Sequence, residues 1–267
     1  MSKTPQVIPV RDPETQYLNK NGMPPVHEHL PQIDGFGGGA CTLMISPVKT
    51  GKSTIINNLL LNKDFYDAQE RFDSTHIISN TIANDVTSRF LKEAFDTYDQ
   101  YNDSIIDGLV ERQKTFEKEE QPEIAVVIDD CLGSIKREGR INHLASRFRH
   151  FNIKLLIISS QNFRAVSPII RQNATNVIIG SPFPNRKELL KVAEEYGDLF
   201  GGPEKWISLY KSATPERYNF IHMNLQANPP EMYRNFDTLI AVGENPIQQT
   251  SEINLEKDNL EENVDEV

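Results

Sequence analysis

Five short stretches of the chain are apolar or β-branched on successive positions: Ala40–Ile45, Ser74–Ser79, Glu123–Ile128, Lys154–Ser160 and Asn176–Gly180. A strand covered on one face alternates apolar and polar residues. A strand covered on both faces, as in a parallel sheet, reads as a continuous apolar run. Between these runs the spacing changes to that of helices with one buried face. It does so from Ile55 to Leu61, across residues 85–119 with a break near Asn102-Asp103, from Asn142 to His150, and from Asn185 to Tyr196. Trp206–Tyr210 and Arg217–Met223 read as a late hairpin. Alternation of strand and helix predicts an α/β fold, a mostly parallel sheet with helices on both faces.

The two ends differ from this middle. Residues 1–31 hold six of the sixteen prolines, Pro5, Pro9, Pro13, Pro24, Pro25 and Pro31. Proline lacks an N–H donor and disfavours helix before it, so residues 1–34 are expected to form an extended arm with few native contacts. His27 and His29 lie in this arm and read as polar surface. Gly35-Phe36-Gly37-Gly38-Gly39 makes a pliant lead-in to the first strand. From residue 244 to 267 the chain is polar and acidic and reads as a disordered tail. The expected organisation is therefore an arm over 1–34, a domain over 35–243 and a tail over 244–267.

Candidate chemistry begins where the first apolar run stops. Ser46-Pro47-Val48-Lys49-Thr50-Gly51-Lys52-Ser53-Thr54 departs at one position, Ser46, from the P-loop pattern G-x-x-x-x-G-K-[ST]. In that pattern backbone N–H groups wrap phosphates, the lysine reaches the terminal phosphates, and the hydroxyl after it ligates Mg²⁺. The helix beginning here adds the positive end of its dipole. A strand before the loop and a helix after it supply the context the pattern requires. The first glycine of the pattern makes a tight turn where a Cβ is unwelcome, and Ser46 stands there.

The run Glu123–Ile128 ends in Asp129-Asp130. Ligands bind at the carboxyl ends of strands in open α/β sheets, so both carboxylates fall where a nucleotide would sit. Asp129 would hold Mg²⁺, and Asp130 would ready the attacking water or cap the following helix. The run Lys154–Ser160 ends at Gln161, an amide that would sense a terminal phosphate or bond a neighbouring loop. Cys41 and Cys131 are far apart, which gives no disulfide framework and points to a reducing compartment. Both read as packing residues.

Taken together, the P-loop, the strand ending in Asp129-Asp130, Arg149-His150, the strand ending in Ser160-Gln161-Asn162, and Pro168–Asn173 resemble the genome-packaging ATPases of large nucleocytoplasmic DNA viruses. The likeness includes the poxvirus type and the virophage relatives, within the FtsK–HerA branch of P-loop NTPases. It covers residues 38–181. It implies an ASCE, RecA-like P-loop domain that hydrolyses ATP with Mg²⁺. It also implies that the energy pushes double-stranded DNA into a preformed capsid. The implied partners are DNA, further copies of the chain in a pentameric or hexameric ring, and a capsid or portal vertex, with no soluble small-molecule acceptor. Arg149 matches an arginine that reaches a neighbouring subunit's nucleotide, with Arg147 and Arg171 as alternates. The implied location is the host cytoplasm, in the viral factory, and the virion.

Net charge qualifies this reading. The chain carries −10, although phosphate binding needs Lys and Arg. Residues 252–267 account for −6 of it, with seven acids against Lys257. Lys136, Arg137 and Arg140 form a candidate DNA-contacting cluster or an ordinary solvated helix face, and Arg164 is a further candidate. No apolar run reaches the roughly 18 residues of a membrane helix, and no secretory start is present. A cellular or plasmid DNA translocase, a P-loop kinase and a nucleotide-binding scaffold are the alternatives. A kinase would want an arginine-rich lid and an acceptor pocket.

Overall fold

The computed structural model describes residues 23–243 apart from 25, 35–37, 84, 132–138 and 184. In chain order the elements are β1 (Ala40–Ile45), α1 (Lys52–Leu61), α2 (Ala68–Arg71), β2 (Ser74–Ser79), α3 (Arg89–Ala94), β3 (Asp96–Tyr98), α4 (Asp103–Lys114), β4 (Ile124–Asp129) and α5 (Arg140–Arg147). They continue as β5 (Ile153–Ser160), α6 (Pro168–Asn173), β6 (Asn176–Gly180), α7 (Arg186–Tyr196), α8 (Pro203–Ala213), β7 (Phe220–Asn224), β8 (Glu231–Arg234) and β9 (Thr238–Val242). Among the described residues the strands form one nine-stranded sheet in the order β3-β2-β4-β5-β1-β6-β7-β8-β9. The first six in that order run parallel, and β7, β8 and β9 extend the sheet antiparallel.

The continuous apolar runs are explained by burial on both faces. Cys41, Leu43 and Ile45 of β1, Val126 and Ile128 of β4, and Leu156 and Ile158 of β5 belong to one core, with α4, α5, α7 and α8. Ala40, Met44, Ala125, Val127, Leu155 and Ile157 point to the opposite core, under α1, α2 and α3. Alternate residues of each strand thus leave water on opposite sides. The expected fold class is the observed one, with boundaries of the central strands within a residue of the apolar runs.

Three expectations are corrected. Trp206–Tyr210 lies in α8 and not in a hairpin. Pro203 opens that helix after Gly202, and Trp206, Tyr210 and Ala213 fall three and four apart on one buried face. Trp206 also stacks on Tyr210 at 5.7 Å and donates its indole N–H to Met223 Sδ at 3.3 Å. The stretch 85–119 holds two helices with the short edge strand β3 between them; Asn102 accepts from the Ser104 N–H and starts the second helix.

The arm is the third correction, in its described part. Val26, Leu30 and Ile33 are buried in the core under α1 and α2. Tyr66 Oη donates to Pro31 O at 2.7 Å, and buried Arg71 donates to Pro24 O at 2.7 Å and to Tyr66 O at 3.0 Å. His29 is buried as well, with Nδ1 3.0 Å from Phe236 O and its ring 4.5 Å from that of Tyr233. Proline fixes the extended path here while apolar residues between the prolines tie it to the domain. The remainder of the arm, residues 1–22, and the acidic tail lie outside the described residues.

Burial lowers the pKa of His29, His76 and His222, and the pH signature is clearest at His222. His222 of β7 is fully buried, contacts Asn176 Oδ1 through Nε2 at 2.8 Å, and stacks on Tyr233. Burial pushes its pKa down from 6.5 to about 3, with nearby His29 adding to the effect. The unfolded chain binds a proton there that the folded chain refuses, so this contribution to stability is complete above pH 6.5 and falls as pH drops towards 3. The expected loss reaches about 1.4 kcal/mol per pH unit for this one group. Unfolding curves of the parent and of His222→Gln, measured from pH 7 to pH 4, should show the variant with the shallower dependence. Parallel slopes would mean that His222 titrates normally in the fold.

Candidate functional site

Strand register sets the site. Ile45 lies level with Ser160 and Ile179, while Asp129 lies level with Ser79 and Ser159. The carboxyl ends of the central strands therefore finish together, and the loop after β1 emerges between those of β5 and β6. Strand β1 separates the two halves of the parallel sheet, where loops diverge and leave a crevice.

Ser46 continues the line of β1, its N–H donating to Ser160 O at 3.0 Å. The chain then turns through Lys49 (φ 62°) and Gly51 (φ 91°). Thr50 Oγ1 donates to Pro47 O at 2.6 Å and also meets Ser46 Oγ, which closes the loop on itself. Gly51 is the residue before α1, and its N-terminal N–H groups face the loop. Positive φ falls at Lys49 and Gly51 and not at Ser46, so the departure from the first glycine costs nothing in backbone conformation. Room for the extra side chain comes from across the sheet: a Cβ on Gly180 would overlap Ser46 Oγ and stand 3.0 Å from Ser46 Cβ. A serine and a glycine have exchanged the place of a side chain.

Lys52 reaches the paired carboxylates. Its Nζ lies 3.1 Å from Asp129 Oδ1 and in contact with Asp130 Oδ2. Asp129 also accepts from Ser79 Oγ at 3.2 Å and from Ser159 Oγ. Asp130 accepts from Gln161 Nε2 at 2.8 Å and has a left-handed backbone, φ 53°. That conformation is uncommon outside glycine and turns the Asp130 side chain out of the strand line towards the P-loop. Four sequence-predicted residues, Lys52, Asp129, Asp130 and Gln161, are thus drawn together with the loop Ser46–Thr54.

Other predicted residues are placed elsewhere. Arg147, Arg149 and His150 precede β5, at the amino ends of the parallel strands, whereas the P-loop is at the carboxyl ends. The eight residues of β5 put about 25 Å between those two edges. Arg149 is exposed and its guanidinium sits 5.2 Å over the Phe148 ring. Arg171 pairs with Glu195 at 3.0 Å and covers the Phe163 ring. Of the candidate DNA contacts, Arg140 pairs with Asp107 and Arg164 with Glu188, each at 3.0 Å. Lys136 and Arg137 lie outside the described residues. Cys41 and Cys131 are buried, and burial pushes both thiols up to about 12.

Three residues join the site without having been singled out from the sequence. Burial would raise the Asp85 carboxyl, but hydrogen bonds from Ser88, the Thr87 N–H and the Ser53 hydroxyl outweigh it and hold its pKa below the usual value. Asp85 therefore stands as a third carboxylate beside Ser53. Arg217 Nη2 lies 3.4 Å from Lys49 O, and the Tyr218 ring covers Gly51. The loop between α8 and β7 thus overhangs the P-loop. Together these groups line a cleft of about 520 Å³. Backbone N–H groups and an ammonium suit an anion there. The Ser53 hydroxyl and the Asp129 carboxylate are hard oxygen donors of the kind that suit Mg²⁺, which takes few protein ligands and completes its shell with phosphate and water.

No protein-family model matches the chain, and no curated protein matches it. Solved structures do. The genome packaging NTPase B204 from Sulfolobus turreted icosahedral virus 2, in complex with sulfate, aligns with a TM-score of 0.53 and 16% identity over 73% of this chain and 95% of that one. The same NTPase in complex with AMPPCP aligns at 0.51 and 17% identity, over 72% and 96%. B204, the DNA-packaging ATPase from Sulfolobus Turreted Icosahedral Virus, aligns at 0.53 and 17% identity, over 72% and 95%. The fold is that of the P-loop NTPases.

The exchange between Ser46 and Gly180 is open to a direct test. Gly180→Ala should destabilise the domain by about 1–3 kcal/mol, the usual cost of overpacking, because the new methyl meets a buried hydroxyl. Ser46→Gly in the same chain should restore most of that loss. Denaturant unfolding of the two single variants and the double variant measures it. Additive losses would show that the two positions do not share the space.

Proposed function

We propose that this chain is an ATPase of the FtsK–HerA type that binds Mg-ATP in the cleft over Ser46–Thr54 and couples its hydrolysis to moving double-stranded DNA. The reading extends to packaging a viral genome into a preformed capsid, in the host cytoplasm and the virion. Its working form is a pentameric or hexameric ring at a capsid or portal vertex. The observation that carries it is the meeting of Lys52 with Asp129 and Asp130 beneath a P-loop that leads into a helix. A fold shared with viral NTPases described as genome-packaging and DNA-packaging supports it. The division into arm, ATPase domain and tail belongs to the same proposal, with residues 23–34 assigned to the domain's packing.

The proposed chemistry follows from the groups present. Loop N–H groups and the start of α1 receive the phosphates. Lys52 leaves the carboxylates for the terminal phosphates and offsets charge on the transferring phosphoryl group. Ser53 and Asp129 would hold Mg²⁺, with Asp85 orienting the Ser53 hydroxyl; the ion supplies further charge for the phosphate oxygens. Asp130, released from Lys52 and held by Gln161, takes the proton of the attacking water. Little covalent work is asked of the protein, so positioning and charge dominate. Arg149 lies too far along the sheet to serve its own cleft. In a ring it serves the next subunit's, with Arg147 as its alternate. Arg171 is engaged by Glu195 and is the weaker choice.

Steady-state hydrolysis tests the reading. Lys52→Ala should abolish turnover. Asp130→Asn should bind ATP with near-parental affinity and fail to hydrolyse it. Full hydrolysis by Lys52→Ala would remove the P-loop from the mechanism.

A second measurement addresses the neighbour. Arg149→Ala, in assembled rings on duplex DNA, should bind ATP and lose turnover, on the order of 10³-fold. Mixing it with Lys52→Ala protein should recover part of the activity, because some interfaces then pair an intact P-loop with an intact arginine. No recovery, with rings confirmed by electron microscopy, rules against an arginine acting across the interface.

A further inference from the structure

A second cavity, of about 500 Å³, adjoins the P-loop cleft on its α1 side. The two spaces share Gly51, Thr54 and Tyr218 in their walls, so they meet across the start of α1. Their chemistry differs. The P-loop cleft is lined by Lys52, Ser53, Asp85 and Asp130, whereas four of the nine residues around the second cavity are aromatic and none is charged. Phe220 and Phe236 are buried and pack edge to face at 4.9 Å. Phe65 meets Phe236 edge to face at 6.2 Å, and Tyr218 stands opposite, 55% exposed. Two amides supply polar groups at the wall. Asn58 Nδ2 donates to Thr54 O at 2.9 Å and Asn235 Oδ1 accepts from the Phe220 N–H at 3.0 Å. These bonds leave one amide an acceptor and the other a donor to offer.

We propose that this cavity seats the base of a nucleoside triphosphate, stacked on Tyr218 and flanked by Phe65. The inference rests on the phosphate reading of the P-loop and adds the part of the molecule that reading does not place. A ligand spanning both spaces must be polyanionic at one end and flat and apolar at the other, with a few hydrogen-bonding groups on its edge. The size suits it, since small-molecule sites measure roughly 300–1,000 Å³. Tyr218 is built for the task. Its backbone is left-handed, φ 73°, and its ring lies 3.3 Å from where a Cβ on Gly51 would stand. The Arg217 guanidinium lies over one face of the ring, 4.9 Å from its centroid, and bonds the P-loop carbonyl of Lys49. A large side chain held this way, yet more than half exposed, has its face opposite Arg217 left for a partner. Stacking on an aromatic ring strengthens binding of a base and tolerates any base, since each has a π face.

Calorimetric titration with Mg-ATP and with Mg-tripolyphosphate separates the base from the phosphates. The parental protein should bind ATP more tightly than tripolyphosphate. Tyr218→Ala should weaken ATP about tenfold or more, as loss of a stacked base implies, and leave tripolyphosphate within about twofold. Tyr218→Phe should keep the ATP affinity, and Phe65→Ala should follow Tyr218→Ala more mildly. Equal parental affinity for ATP and tripolyphosphate would overturn the proposal while leaving the P-loop reading intact. So would a Tyr218→Ala protein that loses both ligands alike, because Tyr218 would then act by pressing on Gly51. A parental protein that binds neither ligand overturns the phosphate reading itself and this inference with it.

Discussion

Three charges confined to the end of a sheet hold this molecule's site in place. The side chains of Lys52, Asp129 and Asp130 are 9%, 10% and 12% exposed, and none could stay ionised there alone without a large desolvation cost. Their proximity depends on the register of β1, β4 and β5, and that register depends on apolar residues filling both faces of every central strand. A slip of one residue would exchange the two cores and move the aspartates off the edge. Two carboxylates against one ammonium also leave the cluster one negative charge in excess. Were Lys52 to turn to a phosphate, as proposed, the carboxylates left behind would need another cation. Under the proposed function, affinity for an anion and for a divalent cation would therefore be coupled by electroneutrality.

The parts of the fold that the sequence announces are those where one physical signal dominates. Central strands are legible because burial on both faces forces unbroken apolar runs, and the ligand edge is legible because Asp129-Asp130 and Ser160-Gln161 interrupt them. Trp206–Tyr210 misleads because aromatic and β-branched residues favour strands, while the evidence for a helix lay upstream in Gly202-Pro203. The arm misleads for a similar reason: proline content tells of an extended path and nothing about whether Leu30 and Ile33 find a core. Asp85, Arg217 and Tyr218 carry no sequence pattern that marks them. They reach the cleft through loops whose positions are fixed by β2 and by the packing of α8 against the sheet, information that resides in tertiary contacts. In the folded chain the Thr87 N–H and the Ser88 hydroxyl gather on the Asp85 carboxylate, a turn that the structure reveals.

The sheet also gives the domain two edges of opposite character. The carboxyl edge gathers acids and the phosphate loop; the amino edge before β5 presents Arg147 and Arg149 to solvent. A head-to-tail contact between copies would bring one subunit's amino edge to the next one's carboxyl edge, and such a heterologous contact closes into a ring when the rotation permits. Under the proposed function this arrangement makes each cleft complete only through its neighbour. Under the same proposal it separates binding, which one chain would perform, from turnover, which would need two.

The side chain exchanged between Ser46 and Gly180 carries a consequence for how the sequence can drift. The two positions belong to different motifs, one in the phosphate loop and one ending β6, yet they occupy one volume. A chain with glycine at 46 is free to carry a side chain at 180, and a chain with serine at 46 is not. Substitution must therefore pass through the state in which both are small, which leaves a void, since the state in which both are large does not fit. That ordering ties the identity of a phosphate-loop residue to a distant strand, so divergence at this loop records steric history as well as selection on chemistry.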